Sequence, residues 1–482
     1  MKIRIVCLIL LLVNICGIGY TNPYSEDYFL LPGLFDLRTD LSDGVHSLEE
    51  IIELAKGRGF NVIFLNEHDL MVLEYGIWPL QSIIKKRVTR PSILDKGPSH
   101  YLKIIQEASK KYPEMILIPG SESSPFYYWE GTLFKRNLTV RDYERHLLVV
   151  GLDHAQDYEG LPVIHNNLIP KFRFNSIPVG IFVLLLFFFI GLILIKKRGI
   201  FRYMGIIIAF LSFLLVINDT AYKRPRYDPY QGNQGIAPYQ TLIDYVNARE
   251  GMVFWNHPET NSGQGKIGPI QRDTPPYPQV LSESLNYTGF AALYAEGITI
   301  TEPGGLWDQI LLEYCEGKRA KPIWGISTAD FHEEGHAGEK LGNFPTVFLV
   351  KEKSKKNILE ALKRGRMYAY RGDVDLPRLN LKEFYISDSE STEKGVMGEE
   401  IQIMGSPEIH ILISTDDPRE VNPLKVRLVR DGKLLKEFSG ETPLKIIFQD
   451  ELLKPGKKVY YRLDMRDSRD RIVVSNPIFV LF

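Results

Sequence analysis

A chain of 482 residues is too long for one simple domain and points to two or three. Lys and Arg number 58 against 59 Asp and Glu, a net charge of −1, so neither a nucleic-acid-binding basic excess nor an acidic solvating tail is indicated. The three cysteines, Cys7, Cys16 and Cys315, are too few for a disulfide scaffold or a thiolate zinc cluster.

Lys2 and Arg4 precede an apolar run from Ile5 to Ile18. This reads as a signal peptide or an N-terminal anchor over residues 1–21. From 22 to 176, strand and helix patterns alternate. Ser47-Leu48-Glu49-Glu50 is a capping box opening a helix with Leu48, Ile51, Ile52 and Ala55 on one face. Asn61 to Leu65 reads as a buried strand. Tyr101, Ile104, Ile105 and Ala108 mark the next helix, and Met115 to Ile118 a strand stopped by Pro119-Gly120.

Ile177 to Ile195 carries no charge, and its 19 positions are close to the length of a membrane-spanning helix. A basic loop follows at 196–202, then a second apolar run to about 218. The pattern predicts a transmembrane hairpin over 177–218 with its basic tip in the cytoplasm. Lys171, Arg173, Lys223, Arg224 and Arg226 flank it on the opposite side. The expected location is the cytoplasmic membrane, with the soluble parts extracytoplasmic.

The α/β rhythm resumes over 219–372, with helices near 240–249, 306–317 and 355–364 and strands at Met252–Trp255 and Pro322–Ser327. Neither half is complete alone. Together they suggest one (β/α) barrel interrupted by the hairpin. From 373 to 482 the helical period vanishes, short strands take over, and Asp431-Gly432 signals a hairpin turn. An all-β sandwich, with a protein partner of unknown identity, is expected there.

Four polar clusters sit at or beside predicted strand ends. They are Asp36-Leu37-Arg38-Thr39-Asp40-Leu41-Ser42-Asp43-Gly44, then Asn66-Glu67-His68-Asp69, then Gly120-Ser121-Glu122 with Arg145-His146, and last Trp255-Asn256-His257-Pro258 with Asp330-Phe331-His332. Imidazoles and carboxylates converging at one barrel mouth suit zinc, manganese or iron.

This order resembles the PHP (polymerase and histidinol phosphatase) family, whose first motif is H-x-H-T-x-x-S-D-G. Here it stands as Asp36-x-Arg38-Thr39-x-x-Ser42-Asp43-Gly44. The resemblance covers roughly residues 30–170 and 225–370. It implies a distorted (β/α)7 barrel and a metal-dependent phosphoesterase that cleaves a phosphate mono- or diester by metal-activated hydroxide. It implies two divalent ions (Zn, Mn or Fe), one at Glu122, His146 and His257, the other at Asp43, His68 and His332 with Asp330 close by. A third position would use Asp36, but Arg38 cannot ligate, because a guanidinium offers no lone pair. Arg38 either replaces the missing cation and grips phosphate or marks lost catalysis; the filled ligand positions favour the first. Arg38, Asp330 and His332 are thus the expected catalytic residues. Glu67 stands where the family has Asp, which puts that supporting role in question. The alternatives are a PHP-like binding or sensing module at the membrane, and a hydrolase of C–O or C–N bonds.

His46, His100, His154, His336 and His410 read as packing or surface residues, as does His165. Ser124-Pro125-Phe126-Tyr127-Tyr128-Trp129 could be core or pocket lining.

Overall fold

The computed structural model describes residues 28–170, 179–220, 222–261, 263–296, 299–335, 340–390, 393–453 and 456–482. The predicted signal segment with Cys7 and Cys16, the hairpin's first residues with Lys171 and Arg173, and His336 lie outside them.

The fold is mixed α/β. Strand β1 (Phe29–Leu37) leads to helix α1 (Leu48–Gly57), which opens on the predicted Ser47–Glu50 capping box and buries Leu48, Ile51, Ile52 and Ala55. There follow β2 (Val62–His68), a ribbon of β3 (Met71–Gly76) and β4 (Lys85–Arg90), helix α2 (Pro98–Lys111) and β5 (Ile116–Ser123). Short strands β6 (Tyr128–Glu130) and β7 (Thr139–Arg141) precede β8 (Leu147–Val150). Two apolar helices, α3 (Val179–Ile195) and α4 (Ile200–Thr220), come next. Helix α5 (Ala237–Asn247), β9 (Met252–Trp255), β10 (Gln264–Ile267), β11 (Ile270–Asp273) and β12 (Gly289–Leu293) follow. Then come α6 (Leu306–Cys315), β13 (Trp324–Ser327), β14 (Pro345–Val350), α7 (Lys355–Arg364) and β15 (Met367–Arg371).

The main sheet runs β13-β12-β9-β8-β5-β2-β1-β14-β15. β1, β2 and β5 are mutually parallel, as are β9, β12 and β13. Past β13 the chain returns to β1: Ala329 N donates to Phe35 O, Phe331 N to Asp36 O and Arg38 N to Phe331 O, at 3.2, 2.9 and 3.1 Å. Those bonds bring the first and last polar motifs together. The core includes Phe35, Phe64, Phe254 and Phe348, one from each of β1, β2, β9 and β14, with Phe35 and Phe64 stacked 3.7 Å apart.

Two strands extend beyond their expected ends. β2 continues through Asn66-Glu67-His68, and β5 passes through Pro119-Gly120 to Ser123. Pro119 breaks the expected pattern only locally, because it lacks one donor. Gly120 permits the close approach, since a Cβ there would stand 2.6 Å from Val149 O and 2.8 Å from Asn66 Nδ2. In the resulting register His68 pairs with Glu122.

After residue 372 the chain is all β. β16 (Leu379–Asp388), β17 (Lys394–Val396), β18 (Glu400–Gln402), β19 (Pro407–Thr415), β20 (Pro423–Arg430), β21 (Lys433–Glu441), β22 (Leu444–Gln449), β23 (Lys458–Asp467), β24 (Ile472–Ser475) and β25 (Ile478–Leu481) form two groups. β17-β16-β19-β22 is a separate antiparallel sheet. β24-β23-β20-β21 prolongs the main sheet through the β15–β24 pairing, so the sheet crosses residue 372 without a break. Ile409, Ile411 and Ile413 of the separate sheet share a second core with Leu424, Val426, Leu463 and Tyr368. The Asp431-Gly432 turn joins β20 to β21 with positive φ at both residues, as a tight hairpin turn requires.

α3 and α4 pack closely where small residues meet. A Cβ at Gly191 would lie 2.6 Å from Ala209 N, and one at Gly205 2.7 Å from Gly191 O. Most of their large apolar side chains, such as Phe182, Phe187, Ile207 and Phe210, are exposed. α4 is long and apolar enough to cross a membrane, and α3, at 17 residues, is slightly shorter.

Candidate metal centre

The four polar motifs meet at one place. Arg38 lies at the centre, only 1% exposed. Its Nη2 donates to Glu122 Oε2 and lies 3.3 Å from Asp36 Oδ1. Its Nη1 donates to Asp330 Oδ1 at 2.6 Å, and Nε lies 3.7 Å from Asp43 Oδ1. Both terminal nitrogens are therefore turned to carboxylates, whereas the sequence suggests a grip on phosphate. Burial disfavours the charged guanidinium, but Asp36, Glu122, Asp330 and Asp43 more than offset this and hold it protonated.

The imidazoles form an outer arc. His68 Nε2 lies 3.3 Å from Asp43 Oδ2, and Nδ1 3.4 Å from Glu122 Oε2. His146 Nδ1 is 3.0 Å and His257 Nε2 3.6 Å from Glu122 Oε1. His332 Nε2 is 3.4 Å from Asp43 Oδ2. Burial raises Glu122, yet Arg38 and His146 outweigh it and hold the carboxyl well below the usual range. Burial alone would lower His257, but Glu122, Asp330 and Asp36 lift it to about 9. Desolvation pushes Asp36 up to about 6 against the pull of Arg38.

Three groups place their ligand atoms within 4.8 Å of one another: Asp43, His68 and His332; His68, Glu122 and His146; Glu122, His257 and Asp330. The first is the trio expected from the sequence. Glu122 joins both other groups, one with His146 and one with His257, and both of these imidazoles approach its Oε1. Asp36 belongs to none of the groups. Its Oδ2 accepts from Asn256 Nδ2 at 2.7 Å, and its Oδ1 faces Arg38.

The donor set fits divalent cations. Ligands about 2.1 Å from a shared ion stand roughly 3.0–3.4 Å apart at right-angled or tetrahedral geometry. Several of the separations above match. His146 Nδ1 makes no well-formed hydrogen bond although Glu122 Oε1 is only 3.0 Å away. His332 Nδ1 lies 2.8 Å from the Asp330 carbonyl. A carbonyl only accepts, so in the neutral ring the proton sits on Nδ1 and the Nε2 lone pair faces the Asp43 carboxylate. A second ring proton or a metal ion between them would satisfy both groups.

The backbone is bent to make this arrangement. Asp36, His257 and Asp330 all have positive φ, at 65°, 26° and 49°. Such strain in non-glycine residues persists where surrounding contacts over-determine it, and it clusters at functional sites. Glu67 supports the loop bearing Asp43: it accepts from Thr39 N at 2.9 Å, Thr39 Oγ1 at 2.6 Å and Ser42 Oγ. A Cβ on Gly44 would meet Arg38 O at 2.3 Å, so this turn needs glycine.

Asn256, next to His257, links two of the carboxylates. Its Nδ2 bridges Asp36 Oδ2 and Glu122 Oε1, at 2.7 and 2.8 Å. Asn66 Oδ1 accepts from Asp36 N at 3.1 Å. Their adjacency to histidine motifs was the available signal. His165 is buried against Tyr127, with Nε2 2.7 Å from its hydroxyl, and His410 stacks on Tyr385. Phe126, Tyr127 and Trp129 are all buried in the core, and Tyr127 and Trp129 also border the cleft over the centre.

No family model and no curated protein matches the chain. Among solved structures, it is similar to a two-domain protein from Bacteroides vulgatus ATCC 8482 containing a predicted PHP-like metal-dependent phosphoesterase. Identity there is 14% and the TM-score 0.37, over 95% of this chain and 96% of the other. A candidate metal-dependent phosphoesterase from Bifidobacterium adolescentis ATCC 15703 matches at 13% identity and a TM-score of 0.29, over 68% of this chain and 95% of that one.

Proposed function

We propose that the chain is a membrane-anchored, PHP-like metal-dependent phosphoesterase. One observation carries this reading: Asp36, Asp43, Glu122 and Asp330 face a single guanidinium, with four imidazoles around them. Arg38, even with His257 lifted to about 9 beside it, does not match four carboxylates, so the pocket favours further cations.

Asp43, His68 and His332 would hold one ion, and Glu122 with His257 and Asp330 would hold a second. Divalent ions bound there would lower the pKa of a coordinated water and neutralise charge on phosphoryl oxygens. The chain's own residues set the frame. Arg38 fixes Glu122 and Asp330 and keeps Asp36 from repelling them. Asn256 orients Asp36 and Glu122. The Asp330 carbonyl, 2.8 Å from His332 Nδ1, turns His332 Nε2 toward Asp43 and the ion they would share.

The parallel strands and the return of residues 329–331 onto β1 support a barrel-like arrangement. The apolar surface of α3 and α4 supports a membrane hairpin, with the soluble parts extracytoplasmic as the basic tip suggests. A second reading, a binding or sensing module, draws on the engagement of both terminal Arg38 nitrogens with protein carboxylates.

The test is bound metal per chain together with p-nitrophenol release from phosphomonoester and phosphodiester probes, in wild type, Glu122→Ala and His257→Ala. Bound metal and turnover, both lost in the variants, are expected. Metal binding without turnover after zinc, manganese and iron loading would favour the binding module.

A further inference from the structure

The cleft above the metal centre is larger and more apolar than phosphate chemistry alone needs. It measures about 1080 Å³, at the top of the range for small-molecule sites. The ligand side chains form one part of its wall. Leu70, Val72, Leu73, Tyr127, Trp129 and Ile270 form much of the rest. Lys86 and Arg90 of β4 add positive charge to the same wall.

The wall is also tied to the apolar helices. Strands β3 and β4 supply Met71, Val72, Leu73, Tyr75 and Val88 to the cleft. The loop joining these strands donates from Ser82 N to Asn218 Oδ1, near the end of α4, at 2.9 Å. Tyr230, ten residues past α4, accepts from Gly76 N and packs edge-on against Tyr75. The exposed side chains of this region include Trp78 on that loop, 78% exposed, and Phe134 beside cleft-lining Leu133, 83% exposed. Aromatic side chains of this kind favour a membrane–water interface.

We infer that the site takes a lipid phosphoester, with its headgroup at the metal centre and its acyl or prenyl chain in the cleft between the β3–β4 ribbon and the small sheet in which β6, β7, β11 and β10 pair in that order. This deepens the phosphoesterase reading and rests on it for the chemistry. Water cleaves the P–O ester bond, the phosphoryl group keeps the water oxygen, and the lipid alcohol leaves after gaining a proton. Cations at the centre and on β4 match an anionic headgroup. The apolar wall matches a chain, and the adjoining hairpin matches delivery from the bilayer that holds it.

The test uses the full chain, metal-loaded, in lipid nanodiscs. Butyl, hexyl and octyl phosphonates are titrated calorimetrically, and p-nitrophenyl phosphate hydrolysis is measured in parallel. Burying each methylene contributes about 0.8 kcal/mol, or about fourfold in affinity. Affinity should therefore climb by about two orders of magnitude from butyl to octyl. Leu133→Glu and Ile270→Gln, at partly exposed positions, should flatten that climb. Equal affinities for the three chains, with p-nitrophenyl phosphate still cleaved, would overturn the inference and leave the hydrolase. A climb without hydrolysis would keep the amphiphile site and remove the hydrolase reading. Release of phosphate from phosphatidate in vesicles carrying the protein supports the bilayer as source. Turnover of octyl phosphate alone would overturn that source in favour of a free amphiphile.

Discussion

Arg38 and Arg462 are both almost fully buried, yet their surroundings differ in kind. Arg462 meets one carboxylate: its Nε and Nη2 each donate to Asp308 at 2.7 Å, and Nη2 also reaches Thr301 O at 2.9 Å. Asp308 further accepts from Tyr460 OH and Gly304 N, each at 2.8 Å. One charge answers one charge, and the pair ties α6 to β23. Arg38 instead meets four carboxylates, three of them on strained backbone or strand ends with histidines beside them. The Arg462 pair balances charge for charge, whereas the carboxylates around Arg38 outnumber the guanidinium four to one. Burial alone does not separate the two; the balance of charge does.

The sharpest way to break the comparison is Glu122→Gln. Glu122 contacts Arg38, His68, His146 and His257. Metal content should fall to background, and hydrolysis should drop by about a thousandfold, the upper scale for removing one main electrostatic stabiliser. Elemental analysis and turnover of p-nitrophenyl phosphate check it.

Arg462→Met should act on stability alone. Leaving Asp308 buried and unpaired costs about 3–5 kcal/mol, while bound metal per chain stays at the wild-type value. Denaturant unfolding with metal analysis on the same sample separates the effects. Replacing both partners, as Arg462→Met with Asp308→Leu, should recover most of the loss.

Arg38→His sharpens the comparison from the other side. It removes the resident cation and adds a lone pair beside Asp36, Glu122 and Asp330, so bound metal should rise by one ion per chain. In chelator the variant should unfold at lower temperature than wild type, and added metal should narrow the gap. An unchanged metal count would show that those carboxylates are satisfied without either cation.

Away from the centre, an effect confined to acid pH is expected. Burial, with Arg87 and Lys85 nearby, lowers His165 from its ordinary 6.5 to about 3. The folded state thus binds fewer protons than the unfolded state between those values. Stability from this group is complete above about pH 6.5 and falls as pH drops toward 3. Thermal melts should show this slope in wild type and a shallower one in His165→Asn, where asparagine tolerates the positive φ.

Much of the centre was legible because its residues lie in short motifs whose order survives in sequence. The α1 capping box and the Asp431-Gly432 turn were legible for a similar reason: both are local. What escaped depended on distant pairing. Arg38 is 84 residues from Glu122 and 292 from Asp330, so nothing near it showed that its donors were engaged. Asn256 looked like a neighbour of His257, and its two carboxylate partners come from β1 and β5. Pro119-Gly120 signals a stop locally, but β2 and β8 on either side hold the strand extended to Ser123. The main sheet passes residue 372 for a similar reason: β24, about a hundred residues on, pairs with β15.

Bound divalent metal per chain, measured on the wild-type protein after exhaustive dialysis against trace zinc or manganese, tests the central claim most directly. The charge imbalance around Arg38 predicts two ions per chain, retained against dialysis and removed by chelator. Metal-free protein that stays folded and takes up no ion would contradict it, and would make the centre around Arg38 a closed structural network like that of Arg462.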